Sequence, residues 1–263
     1  MRRSSDDIRH LLESDRIWSA YALADLDPRY ISASSWYVNE NAAILIYAGF
    51  DPAVLFSMGP DAALGELLPL IPAGQYTYTL LKNSRRLIDP FLNVGHEKIM
   101  VRMVLDSGPL PIIYRDDFIQ LTEINLGDVQ RLFGSYPDQP DSFVASQLRD
   151  GIFFGYYKAD DLVSIAGTHV LSKTASVAAI GNVFTKPRYR NRGLSTEASI
   201  CVVESLREMG IETIVLNVAV DNKPAQVIYA KIGFRHFCDY YEGQGELKIE
   251  SIENIGALND KAV

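Results

Sequence analysis

Thr185-Lys186-Pro187-Arg188-Tyr189-Arg190-Asn191-Arg192-Gly193-Leu194-Ser195 is the stretch that decides the fold. Residues 186–193 hold four cations and no acid, in a chain whose formal charge is −8. The spacing of apolar residues predicts a strand over 176–185 and a helix over 193–209. A strand, a basic loop and a helix start therefore follow one another. The first backbone N–H groups of such a helix, and its positive dipole end, face whatever occupies the loop. Gly193 lets the backbone approach a ligand closely, because it has no Cβ to intrude. Together these features describe a phosphate or pyrophosphate site; the plainer alternative is a solvated basic turn beside a core helix.

Working outward, a strand at 118–121 precedes two short helices, with N-cap chemistry supplied by Asn125 and Asp128 and by Asp141. A meander of three strands follows at 152–157, 162–171 and 176–185. After the 193–209 helix come a strand at 213–218, a helix at 223–232 and a strand at 235–241. Asn222 ahead of Pro224 is a helix start signal, and Gly233 suits a left-handed position after the last helical residue. A further strand is expected at 246–250. An antiparallel meander followed by β-α-β-α-β is an α+β design, with a mixed, largely antiparallel sheet flanked by helices.

The first half reads as helices before Asp27-Pro28, strands at 34–38, 42–47 and 53–56, a helix at 60–68, a strand at 75–80, a helix at 84–92 and a strand at 98–105. Two prolines and a glycine between Asp106 and Arg115 read as a linker. The expected organisation is an N-terminal α/β domain over 1–105, a linker over 106–116, a second domain over 117–250 and a tail over 251–263. The order strand, Asn83, helix, Gly95, strand parallels the later strand, Asn222, helix, Gly233, strand, so the N-terminal half reads as a degenerate copy of the second; a coincidental α/β cap is the alternative. Its equivalent junction, Phe56-Ser57-Met58-Gly59-Pro60-Asp61, carries no cation and is expected to hold no phosphate.

Arg190-Asn191-Arg192-Gly193-Leu194-Ser195 resembles the R/Q-x-x-G-x-G/A signature of the GNAT acetyltransferase superfamily, with Ser195 where glycine or alanine is usual. Leu216-Asn217-Val218, Asn222, Ala225, Tyr229 and Gly233-Phe234 resemble its second motif. The resemblance covers about residues 118–241. It implies a GNAT-like domain that transfers an acetyl group from acetyl-CoA, as co-substrate, to a primary amine by direct attack through a tetrahedral intermediate. It further implies that Arg190, Asn191, Arg192, Gly193, Leu194 and Ser195 hold the pyrophosphate. The backbone of Val183, Phe184 and Thr185 would meet the pantetheine arm, Asn222 would bind ligand or merely cap its helix, and Tyr229 would be the general acid or a core residue. Residues 176–185 carry Asn182 but no glutamate, leaving His169, a distant carboxylate or water as base. The alternative function is a non-catalytic CoA- or ligand-binding module on the same fold; a nucleotide-binding protein using the basic loop is a third.

Composition narrows the rest. The chain has 263 residues, 48% hydrophobic and 22% charged, the balance of a globular protein with a real core. Its negative charge argues against broad binding to nucleic acid or anionic membrane. No P-loop, G-x-G-x-x-G or G-x-S-x-G occurs. His10, His96, His169 and His236 have no metal-ligand spacing, so no metal is expected. Cys201 and Cys238 read as small apolar fillers. With no signal-type apolar region and no apolar run of ~18 residues, a cytoplasmic location is expected. The expected partner is a small-molecule or peptide amine acceptor, with no nucleic acid or membrane, and a homodimer as an open assembly.

Overall fold

A computed structural model describes residues 4–112, 117–136, 140 and 143–248. The chain divides into two compact units, Met1–Met100 with Asp239–Val263, and Val101–Cys238. The expected tail and the Asp141 cap lie outside the described residues, as does part of the 106–116 segment.

The first unit starts with α1 (Ser5–Glu13) and α2 (Ala20–Ala24). Ser4 and Asp7 close a capping box at the head of α1, each satisfying the other's backbone N–H. Strands β1 (Ser34–Val38), β2 (Ala43–Tyr47) and β3 (Ala53–Met58) form an antiparallel meander. Helix α3 (Asp61–Leu67) then crosses to β4 (Gly74–Leu81), which runs parallel to β3 from Ala53↔Tyr76 to Phe56↔Thr79. Tyr76, Tyr78 and Leu80 alternate inward along β4, which is the period-two pattern of a half-buried strand. Helix α4 (Lys82–Ile88) leads into β5 (Leu92–Leu105).

The second unit holds β6 (Phe118–Leu121), α5 (Leu126–Phe133), α6 (Ser146–Asp150) and the meander β7 (Phe153–Lys158), β8 (Asp161–Ser172), β9 (Val177–Thr185). Then come α7 (Leu194–Glu208), β10 (Thr213–Ala219), α8 (Lys223–Ile232) and β11 (Phe234–Leu247). From its first helix onward each half of the chain reads α-α-β-β-β-α-β-α-β. The halves exchange their last strands. Residues 240–247 of β11 pair antiparallel with β4 in the first unit, while the end of β5 neighbours β10 in the second.

Two differences from the sequence reading follow from this exchange. β11 is one strand of 14 residues that runs through Gly243 and Gly245, where the sequence reads a strand end, a gap and a second strand at 246–250. Ladder bonds to β4 override the weak strand preference of glycine. The division between units also falls inside β5 and β11, not at the proline-rich segment after residue 105.

In the second unit the sheet separates two cores. One packs under α7 and α8, with Ala166, Ala178, Ile180, Leu216 and Val218 facing it and Val183 and Tyr229 partly buried against it. The other packs under α5 and α6, with Phe153, Ile165 and Phe184 facing it. Ile165 and Ala166 are sequence neighbours on opposite cores, as a strand's two-residue period requires.

Candidate active site

The β9–β10 ladder is short. It runs in parallel from Thr213↔Val177 to Leu216↔Ile180 and ends there. Residues 181–185 and 217–219 continue past it with no pairing between them. Asn182 sits at φ 53°, a left-handed conformation that kinks β9 where the ladder stops. On its other edge β9 stays paired to β8, through Gly167↔Gly181, Ile165↔Phe184 and Ser164↔Thr185. The backbone of Val183, Phe184 and Thr185 therefore lines one side of an opening between parallel strands. Their side chains are engaged elsewhere. The Phe184 ring lies 5.5 Å from Tyr136 and 6.4 Å from Phe133, and the Thr185 hydroxyl is 2.8 Å from that of Ser164.

At the end of β9 the basic loop turns into α7. Gly193 is the N-cap at φ 83°, a conformation that a side chain opposes, and it offers no capping oxygen. The backbone N–H groups of residues 191–196 meet no protein acceptor among the described residues; the next, on Glu197, bonds back to the Gly193 carbonyl at 3.0 Å. Backbone donors left without a protein acceptor at a helix N-terminus form a ready anion site. The opening and the donors fit a coenzyme A diphosphate and its extended arm.

The four loop cations divide into two pairs. Lys186 Nζ lies 2.5 Å from Asp161 Oδ1, and Arg188 Nη2 lies 3.1 Å from Asp161 Oδ2. Lys186 beside it holds the Asp161 carboxyl below the usual carboxylate range. This pair anchors the loop to the β7–β8 turn. Arg190 Nε donates to the Thr185 carbonyl at 2.9 Å, with its guanidinium 5.5 Å from the centre of the Phe184 ring. Arg192 packs on the Tyr189 ring at 5.5 Å, as Arg188 does at 4.9 Å, and has no carboxylate partner among the described residues.

Glu197 is the residue the sequence reading missed. Its Oε1 lies 3.3 Å from the position a Cβ would take on Gly193, so a carboxylate stands at the mouth of the anion site. Partial burial, with Asp117 nearby, raises its carboxyl above the ordinary value. The available signal was an acid in the first turn after a basic loop. A charge there opposes a bound phosphate, by roughly 0.3–1 kcal/mol on the scale of helix-end charges. Glu197→Gln should therefore tighten coenzyme A binding about two- to fivefold. Wild-type affinity should rise on acidification, as Glu197 protonates at a higher pH than an ordinary glutamate. Calorimetric titration of both proteins at two pH values checks this.

Asn222 caps α8, its Oδ1 accepting from Ala225 N at 3.2 Å, and Gly233 ends that helix at φ 111°. Tyr229 lies on α8, half-buried, with its ring 6.1 Å from Phe234 in an edge-on arrangement. Its hydroxyl makes no hydrogen bond to another described residue, and burial pushes it up to about 12. Val183 and Tyr229 pack against the same core, so the acid expected from the sequence and the strand expected to hold the arm share one face of the sheet. Cys201 and Cys238 form no disulfide, and no metal-binding cluster occurs among the described residues.

The corresponding junction of the first unit is closed. A Cβ on Gly59 would lie 2.6 Å from the Asn41 carbonyl. Just past the β3–β4 ladder, the Ser57 carbonyl accepts the indole N–H of Trp18 at 3.0 Å. Trp18 is fully buried between Phe56 and Tyr240, each 5.4 Å away. An indole thus fills the place that stays open in the second unit.

The acetyltransferase (GNAT) family model matches residues 119–234. No curated protein matches the sequence. Among solved structures, the chain is similar to a protein from Novosphingobium aromaticivorans assigned to the GNAT acetyltransferase family, at 18% identity and TM-score 0.61, over 87% of this chain and 96% of that one. It is similar to a GCN5-related N-acetyltransferase from Kribbella flavida, at 12% identity and TM-score 0.60, over 88% and 94%. A tandem GNAT protein from the clavulanic acid biosynthesis pathway aligns over 95% of this chain and 98% of its own, at 11% identity and TM-score 0.53. At these identities the structural likeness speaks for the fold, and it extends over both halves. Residues 119–234 are a GNAT-family acetyltransferase domain.

Proposed function

We propose that the protein transfers an acetyl group from acetyl-CoA to a primary amine carried by a small molecule or peptide, using one acetyl-CoA site per chain. The observation that carries this reading is the run of unsatisfied N–H groups over residues 191–196, beside strands that part at Ile180 and Leu216. Arg190, Arg192 and the backbone of Asn191, Gly193, Leu194 and Ser195 would hold the diphosphate. Backbone groups of Val183, Phe184 and Thr185 would take the arm, and a donor there would stabilise negative charge on the thioester oxygen during attack. Tyr229 would give its proton to the departing sulfur. Asn222 would keep the head of α8 in place through its cap. The first unit, with its junction filled by Trp18, is read as a degenerate copy that binds no coenzyme A.

A fluorimetric titration with acetyl-CoA, followed by thiol release across a panel of primary amines, tests the assignment. Saturable binding with amine-dependent thiol release is expected. Binding without release from any amine would favour a ligand-binding module, and no binding would remove the proposal. Within it, Arg192→Ala should weaken acetyl-CoA binding by about 1.5–3 kcal/mol, the range for a hydrogen bond to a charged group. Arg192 is exposed, so thermal unfolding of the variant should match the wild type.

A further inference from the structure

An amine that attacks a thioester must lose a proton, and β9, over Val177–Thr185, carries no carboxylate to take it. The structure places an imidazole there instead. Gly181 is the first residue of β9 past the end of the β10 ladder. Where its Cβ would stand, the His169 ring atoms Nε2, Cδ2 and Cε1 lie 2.1, 2.2 and 2.3 Å away. The imidazole of β8 therefore rests on bare backbone at the point where the strands part, and only glycine leaves it room.

Three features hold it there. The β8–β9 register shifts between Thr168 and Val170, which turns His169 out of simple alternation. Gln147 of α6 donates through Nε2 to the His169 carbonyl at 3.1 Å. The same Gln147 accepts through Oε1 from Asn182 Nδ2 at 3.0 Å, tying the kinked residue of β9 to the bulged residue of β8. The Asn182 Oδ1 beside it is buried with no hydrogen-bond partner.

The face matters as much as the distance. Tyr229 and Val183 pack with the core under α7 and α8. Ile180 faces that same core, so the Cβ direction of Gly181, where the His169 ring lies, is on the other face of the sheet. The tyrosine and the imidazole thus belong to opposite faces of the sheet.

We infer that His169 is the general base of the proposed acetyl transfer, and that the amine enters from the α6 face. As the N–C bond forms, the amine N–H proton passes to the imidazole; as the C–S bond breaks, sulfur takes the Tyr229 proton. The histidine then releases its proton to solvent and the tyrosine regains one, so the step balances with no further reactant. This inference rests on the acetyltransferase reading.

Bromoacetyl-CoA tests it without knowledge of the acceptor. An imidazole nitrogen poised at the acyl group should displace bromide, forming an N–C bond and releasing a proton, and peptide mass spectrometry locates the adduct. The expected result is an adduct on His169 that excess coenzyme A prevents. His169→Gln should keep coenzyme A affinity within about twofold, lose that adduct, and lower amine-dependent kcat by about 10²–10⁴ with KM for acetyl-CoA nearly unchanged. Gly181→Ala, which keeps the imidazole but displaces it, should also lose the adduct. Coenzyme A binding with no adduct on His169, or a normal kcat in folded His169→Gln, would overturn the inference. Absence of coenzyme A binding in the wild type would instead remove the acetyltransferase reading beneath it.

Discussion

Tyr229→Phe should lower turnover by about 10²–10⁴, the usual range for a positioned acid, while acetyl-CoA affinity changes little. Breakdown of the tetrahedral intermediate expels a thiolate, and a proton delivered to sulfur lowers that barrier. The substitution keeps the ring, its edge-on contact with Phe234 and its place in the core under α7 and α8, and removes only the hydroxyl. That hydroxyl has no partner among the described residues, so its loss leaves no buried donor or acceptor unsatisfied and stability should hold. Burial pushes Tyr229 up to about 12, which keeps it protonated throughout the neutral range. The same apolar surroundings would raise the proton affinity of a departing thiolate, so donor and acceptor shift together. Any alkaline loss of activity caused by Tyr229 is then expected only near pH 12. Steady-state kinetics with saturating acetyl-CoA checks the turnover, and a near-normal kcat would return Tyr229 to a packing role.

Gly193→Val should abolish measurable acetyl-CoA binding, a loss of at least about 100-fold. At φ 83° the N-cap of α7 is left-handed, a conformation that costs a β-branched residue about 1–3 kcal/mol. Relief requires the loop to turn away, and that turns the N–H groups of residues 191–196 with it. The new side chain also meets Glu197, whose Oε1 is already 3.3 Å from the Cβ position. Gly193→Ala should fall between, with the same backbone cost and less bulk. Affinity within threefold of wild type in the valine variant would show that this junction does not hold the diphosphate.

The parts of the fold that were readable are those set by local chemistry. The β9–loop–α7 junction could be read because apolar period and charge both change at Thr185 and Gly193. The ends of α8 could be read because Asn222 and Gly233 act through their own side chain and backbone. The strand exchange could not. Nothing local in Leu92–Leu105 or Phe234–Leu247 says which neighbour each half of the strand will find, and the exposed, mostly polar residues 93–97 do not look like a strand at all. Glycines 243 and 245 hide the end of β11 for the same reason. At the site, the loop cations were visible but not their division into an Asp161-bound pair and a pair turned to β9 and Tyr189. The end of the β9–β10 ladder left one trace, the Gly181-Asn182 pair inside a strand, which signals a bulge or a close approach. His169 over Gly181 needs both strands and their registers, so no spacing rule reaches it.

The measurement that bears most directly on the proposed acetyl-CoA site is a calorimetric titration with acetyl-CoA of the wild type and Gly193→Val. One mole bound per chain is expected, lost in the variant, because the second unit keeps its junction open while Trp18 fills that of the first. No saturable binding, a second mole per chain, or equal binding by both proteins would contradict it.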